Sequence, residues 1–221
     1  MAETVNYQDA AYAAILKQIM RLELVPGQRI NKKALETQLG IGTTPVREAI
    51  IRLQREGLIV VQPQSGTYVA KIALAEVYQA RFVRESLEKV VVVESIPKMT
   101  ADDFATLNDM IAQQKKYLAK HDYDHFFDLD DAFHKTFYQV DGKDYVWNWI
   151  QLCNLQFNRF RYLRLEVKDL DWQQIIDDHQ AIIDAVKNKQ GTRAETAVSR
   201  HLHMVDADAA VAVKAHSDYF A

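Results

Sequence analysis

Residues 30–70 read INKKALETQLGIGTTPVREAIIRLQREGLIVVQPQSGTYVA. Their punctuation predicts two short helices followed by a hairpin. The first helix should span about residues 32–39. Gly40 and Gly42 follow it, and glycine supplies the backbone angles that end a helix and turn the chain. Thr44-Pro45 restarts the helix, with the threonine as cap and the proline at the first helical position, where no hydrogen bond is lost. The second helix should run to Glu56 and stop at Gly57. Val46, Ala49, Ile50 and Leu53 recur at spacings of three and four, which puts them on one buried stripe. Residues 58–61 and 67–70 are rich in β-branched side chains, and Pro63-Gln64-Ser65-Gly66 makes the turn between them.

Two short helices backed by a hairpin describe a winged helix-turn-helix. Arg47, Arg52 and Arg55 lie off the apolar stripe. A second helix of this size fits a DNA major groove, led by its N-terminal turn. Thr43 and Thr44 stand beside Arg47 at that turn. Hydroxyls and helix-start N–H groups hold phosphates, and an arginine there can fork onto a guanine edge. Taken alone, the helix pair describes equally well a small packed unit with charged outer faces. The hairpin and the threonine–arginine cluster shift the balance toward DNA.

TPVREAI, then RLQREGLI, then SGTYV resemble, in that order, the DNA-binding domain of the GntR family of bacterial transcription regulators, over about residues 7–71. The resemblance implies binding to double-stranded operator DNA. Arg47 matches a DNA-contacting arginine, and Lys33 matches a position that is often arginine or glutamate. Thr43 stands where the family commonly has an arginine. Gln64-Ser65, before Gly66, replaces an arginine often found in the wing. The implied contact set is Lys33, Thr43, Thr44, Arg47, Gln64 and Gly66, and the two missing arginines leave the operator sequence open.

The 221 residues suffice for two domains, set here at 1–71 and 72–221. A hydrophobic content of 48% excludes disorder, and only seven glycines and four prolines favour long helices. Cys153 is the single cysteine, so there is no disulfide framework and a reducing, cytoplasmic setting is expected. In its apolar stretch it reads as a core filler. No run is long enough to span a bilayer, and no signal peptide is visible. Net charge is −3, but residues 1–71 hold nine Lys/Arg against six Asp/Glu, a local excess of +3. DNA affinity depends on that local excess and should be salt-sensitive.

Residues 1–6 look frayed. Residues 7–24 carry Ala11, Ile15, Leu16, Ile19 and Leu22 at helical spacing and end at Pro26-Gly27. A short, stiff linker is expected at 70–73. Beyond it the pattern predicts helices at roughly 74–95, 100–120, 122–140, 143–165, 171–189 and 191–216, the fifth capped by Asp171. Val90 to Val93 is β-prone but too short to overturn the helical pattern. The fold class is mainly α: a winged helix-turn-helix followed by an all-helical antiparallel bundle.

Three histidines of this bundle sit on apolar stripes: His134 with Phe127, Asp130 and Phe137; His179 with Ile175, Ile182 and Val186; His201 with Ala194, Val198 and Val205. One such histidine is usually a hydrogen-bonded core residue. Three on three helices, with Asp130 one turn before His134, are harder to explain separately. One divalent cation, zinc or nickel by ligand type, would satisfy all four groups. His121, His125, His203 and His216 are expected in solvated or capping roles.

FFDLDDAFH, DDHQAIIDAV and AVSRHL resemble the FCD effector domain of FadR-type GntR regulators, over about residues 74–210. The resemblance implies metal binding by Asp130, His134, His179 and His201, with Asp131 facing away. Through VRESLE it puts Arg84 at an effector-pocket arginine. From the residues alone, Arg84 could equally be a surface or bundle-end residue paired with Glu88. Asn158 and Arg161 fall in a segment that can also reach the cavity. The implied protein is a homodimeric repressor controlled by a small organic or sugar acid. Nothing in the sequence nominates a catalytic residue beside the metal. The rival is a metal-dependent hydrolase or lyase. A second rival is an architectural nucleic-acid protein with a structural metal.

Overall fold

The computed structural model describes residues 6–168 and 170–221. The frayed start expected at residues 1–6 therefore lies, except for Asn6, outside the described residues. The chain forms two compact units, one running to Leu74 and including His216–Ala221, the other Ala75–Ala215.

In the first unit α1 (Tyr7–Met20) starts at Asn6, whose side chain accepts the Gln8 N–H, and it buries Ala11, Ile15 and Ile19. Helix α2 (Lys32–Leu39) is capped by Asn31 and ends at Gly40 in the left-handed region, φ 62°. Helix α3 (Thr43–Arg55) buries the predicted stripe of Val46, Ala49, Ile50 and Leu53. Its start differs from expectation. Gly42 is the N-cap, with no side-chain cap bond, and both threonines lie inside the first turn. Pro45 still loses nothing there, because first-turn N–H groups have no partner within the helix.

Strands β1 (Ile59–Gln62) and β2 (Gly66–Val69) pair antiparallel, Ile59 opposite Val69. The loop after α1 covers the free side of β2: Ile30 N–H donates to Thr67 O at 2.7 Å and Val69 N–H to Gln28 O at 2.9 Å. The end of the chain also returns to this unit. Ile72 N–H donates to Tyr219 O at 2.8 Å and Ala221 N–H to Ile72 O at 3.1 Å, with Ile72 and Phe220 both buried. The boundary drawn from sequence had left these last residues with the bundle. A return of so few residues is too short to carry a periodic signal.

The second unit contains α4 (Leu74–Ser95), α5 (Ala101–Lys120), α6 (Tyr123–Val140), α7 (Asp144–Cys153), α8 (Leu155–Glu166), α9 (Gln173–Lys187), α10 (Gly191–Leu202) and α11 (Met204–Ala215). The β-prone valines are helical, with Val91 and Val92 buried. Helix α5 starts with a full capping box between Thr100 and Asp103. Trp172 occupies the N-cap position of α9, and Asp171 Oδ1 accepts the Gln173 N–H at 2.7 Å.

Two predicted helices are each broken in two. The first breaks at Asn154, with φ −95° and ψ 13°. Helix α7 is half-exposed, burying Trp147 and Ile150 but leaving Cys153, expected as a core filler, exposed, whereas α8 is buried nearly all round, from Gln156 to Leu165. A helix apolar on one side and a helix buried on every side occupy different depths, so the chain bends between them. The second break is at His203, ψ −4°. Among the described residues no helix is long and apolar enough to cross a membrane.

Candidate metal centre and nucleic-acid interface

Helix α6 presents Asp130 and His134 from successive turns, α9 presents His179 and α10 presents His201. All four are buried, none more than 8% exposed. One donor atom from each lies within 4.8 Å of the others. His134 Nε2 and His201 Nε2 are 3.2 Å apart, and His179 Nε2 lies 3.3 Å from Asp130 Oδ1. Phe133 stacks on the His179 ring at 3.9 Å between centroids and fixes its plane.

The far side of each imidazole faces an oxygen. His134 Nδ1 lies 2.5 Å from Glu88 Oε1, and His179 Nδ1 lies 3.2 Å from Gln114 Oε1. His201 Nδ1 faces Asp178 Oδ2 at 3.9 Å. With Nδ1–H donated outward to Glu88 and Gln114, the inward Nε2 atoms of His134 and His179 carry lone pairs. His134 Nε2 aims its lone pair at His201 Nε2, 3.2 Å away, a gap that one proton or one shared cation can bridge. Asp130 Oδ1 and His179 Nε2 are buried and have no hydrogen-bond partner, a condition native cores rarely tolerate.

Protonation states agree with this arrangement. Burial pushes the His179 imidazole down to about 3 and holds that of His201 well below its usual range. Burial would raise the Asp130 carboxyl, but the Arg161 guanidinium bonded to it holds it well below the usual carboxylate range. Asp130, His179 and His201 therefore stand deprotonated at neutral pH, as metal ligation requires. The residues present fit a divalent cation.

Arg161 donates to Asp130 Oδ2, to Asp131 Oδ1 at 2.9 Å and to Asn158 Oδ1 at 2.7 Å. Asp131 lies outside the cluster of donors and shares the arginine that holds Asp130. Arg84 is not a surface residue. It is 1% exposed, and its Nε donates to Glu88 Oε2 at 2.9 Å, behind His134. A cavity of about 40 Å³ adjoins the cluster, lined by Asp130, His201, Arg161 and Arg164 together with phenylalanine and aliphatic side chains. Of the three residues expected at an effector, Arg161 lines it, while Arg84 and Asn158 are not among the lining residues. Sequence reading missed Gln114, Asp178 and Arg164 altogether. It treated Glu88 only as a partner for Arg84.

On the first unit, Lys33, Thr43, Thr44, Arg47 and Gln64 are exposed, and Gly66 is half-buried. Gln64 itself holds the left-handed turn, φ 62°. Arg52 is engaged elsewhere: it stacks 3.6 Å over the Tyr12 ring and donates to Glu56 at 3.2 Å. Tyr12 also donates to Glu56, at 2.8 Å, tying α1 to the end of α3. Arg47 is left at the leading turn. Arg29, unforeseen from sequence, lies against the wing, where a Cβ on Gly66 would meet its Nε at 2.9 Å.

Residues 7–69 match the bacterial regulatory proteins of the gntR family, and residues 76–204 match the FCD domain. The chain is 28% identical over 218 residues to the HTH-type transcriptional repressor RspR of Escherichia coli (strain K12), covering 99% of this chain and 94% of that protein. It is 31% identical over 211 residues to an HTH-type transcriptional regulator in an unstable DNA locus of Streptomyces ambofaciens, covering 93% and 86%. Its fold is similar to that of E. coli McbR/YncC, with a TM-score of 0.79, 19% identity, and coverage of 96% of this chain and 100% of that one. The chain belongs to the GntR family, as a DNA-binding transcription regulator with a winged helix-turn-helix head and an FCD domain.

Proposed function

We propose that this regulator is a repressor, acting as a homodimer, whose hold on operator DNA is set by a small carboxylate bound beside a divalent metal ion. The observation that carries this reading is the buried cluster of Asp130, His134, His179 and His201 next to a cavity that Arg161 also lines. Three imidazoles and one carboxylate suit zinc or nickel. An ion that takes six ligands would have positions left beyond these four donors, and an anionic oxygen could fill them.

The chain's own residues do the rest. Glu88 and Gln114 orient two of the imidazoles, and Arg161 keeps Asp130 ionised. A carboxylate changes DNA binding only if it binds one arrangement of the protein better than another. Two copies of α3, reading successive half-sites, would respond to such a change. An exposed apolar strip on α4, Phe82, Val83, Leu87 and Val90, supports self-association. The name of the RspR relative supports repression.

The rival reading is a metal-dependent hydrolase or lyase. It needs a base beside the ion. Among the described residues lining the cavity, the titratable groups are two cluster members and two arginines, none of which is a free base. The test is operator binding by anisotropy, using a DNA site selected from a random pool. Organic acids are titrated into metal-loaded and chelated protein. Release of DNA by an acid only when the metal is present supports the reading; indifference to every acid overturns it.

A further inference from the structure

We propose that the cavity takes a short monocarboxylate with an apolar tail, rather than a polyhydroxylated sugar acid or a tricarboxylate. This rests on the reading of the cavity as the effector site and names the class of ligand it accepts.

Size comes first. About 40 Å³ is room for roughly three waters, so the occupant has only a handful of non-hydrogen atoms. Wall chemistry comes next. Phe126, Phe127, Phe157, Phe160, Ile175 and Leu202 supply much of the lining. The polar lining residues are Asp130, His201, Arg161 and Arg164. The first two belong to the metal cluster. Arg161 is spent on Asp130, Asp131 and Asn158.

Arg164 is different. Its Nε donates to Asp208, its Nη2 donates to Asp171 O at 3.0 Å, and its Nη1 is buried with no partner. A buried, unpartnered guanidinium N–H calls for an acceptor, and a carboxylate oxygen is the strongest. The ligand's negative end is thereby matched by Arg164 and by the cation that the cluster fits. Its other end meets phenyl and aliphatic carbon. A hydroxyl there finds no donor or acceptor, and each one left dry lowers affinity by roughly tenfold.

The experiment is calorimetric titration of the zinc-loaded 221-residue chain with four acids: butyrate, isobutyrate, glycerate and gluconate. Butyrate and isobutyrate should bind at least about tenfold more tightly than glycerate, which is close to them in size but far more polar, and gluconate should not bind. Arg164→Lys keeps a cation beside Asp208 but removes Nη1. It should weaken butyrate about tenfold and leave zinc content at the wild-type level. Glycerate or gluconate binding as tightly as butyrate overturns this inference and leaves the effector reading standing. Unchanged butyrate affinity in Arg164→Lys removes Arg164 from the site and overturns the inference as stated. No heat from any of the four, with DNA binding unmoved by a wider acid panel, overturns both readings.

Discussion

Glu88 Oε1 lies 2.5 Å from His134 Nδ1, so a carboxylate on α4 sets which nitrogen of an imidazole on α6 faces the metal cluster. Arg84 holds the other oxygen of Glu88 at 2.9 Å. Burial would raise the Glu88 carboxyl, but His134 and then Arg84 hold it well below its usual range. It is therefore an acceptor across the physiological range.

Replacing Glu88 should cost metal affinity. Glu88→Ala should lower zinc affinity by about 10- to 100-fold. Glu88→Gln, whose amide oxygen can still accept the Nδ1–H, should lose less. Competition with a chromophoric chelator measures both. Equal loss in the two variants would mean that charge, not tautomer, is what Glu88 contributes.

Metal should also stabilise the fold, because its four donors lie on three helices that the unfolded chain does not hold together. At a free ion concentration about a thousand times Kd, the gain is about 4 kcal/mol. Thermal unfolding should show a higher Tm with zinc than with chelator. Identical transitions would mean that the ion does not bind the native state in preference.

Acid should destabilise the chelated protein. An unfolded chain protonates His179 and His201 below about pH 6.5. The folded chain keeps His179 neutral down to about 3 and holds His201 well below its usual range too. Between those limits the unfolded state binds more protons, so stability falls as pH falls, by about 1 kcal/mol per pH unit for each imidazole. Urea titrations of chelated protein from pH 7 to pH 4 measure this slope. His179→Phe and His201→Phe variants should flatten it. Asp130 adds its own loss only below the unfolded carboxylate range, since its folded state is held low.

Arg47→Ala should weaken specific operator binding by about 1–3 kcal/mol while leaving metal content unchanged. It is exposed at the leading turn of α3, in the unit that does not contain the cluster. Parallel loss of both properties would mean that the two units do not work as separate devices.

Much of this was legible in the sequence, for physical reasons. The buried stripe of α3 and the hairpin rest on local periodicity, which survives folding almost unaltered. The three histidines were visible because a polar residue breaks an apolar stripe. What stayed hidden depends on contacts between helices. Gln114 and Arg164 reveal what they face only once α5 packs beside α9 and α8 lies inside the bundle. The break at Asn154 was masked because apolar residues continue through it, although the helix passes from half-exposed to buried. Arg29 sits in a loop, where spacing says nothing of its neighbours.

Four buried donors on three helices should hold one divalent ion. The most direct test is elemental analysis of wild type and His179→Ala after zinc loading and exhaustive dialysis. Wild type should retain one ion per chain, and the variant should retain clearly less. A wild type that retains no ion, or a variant that retains as much, would contradict it.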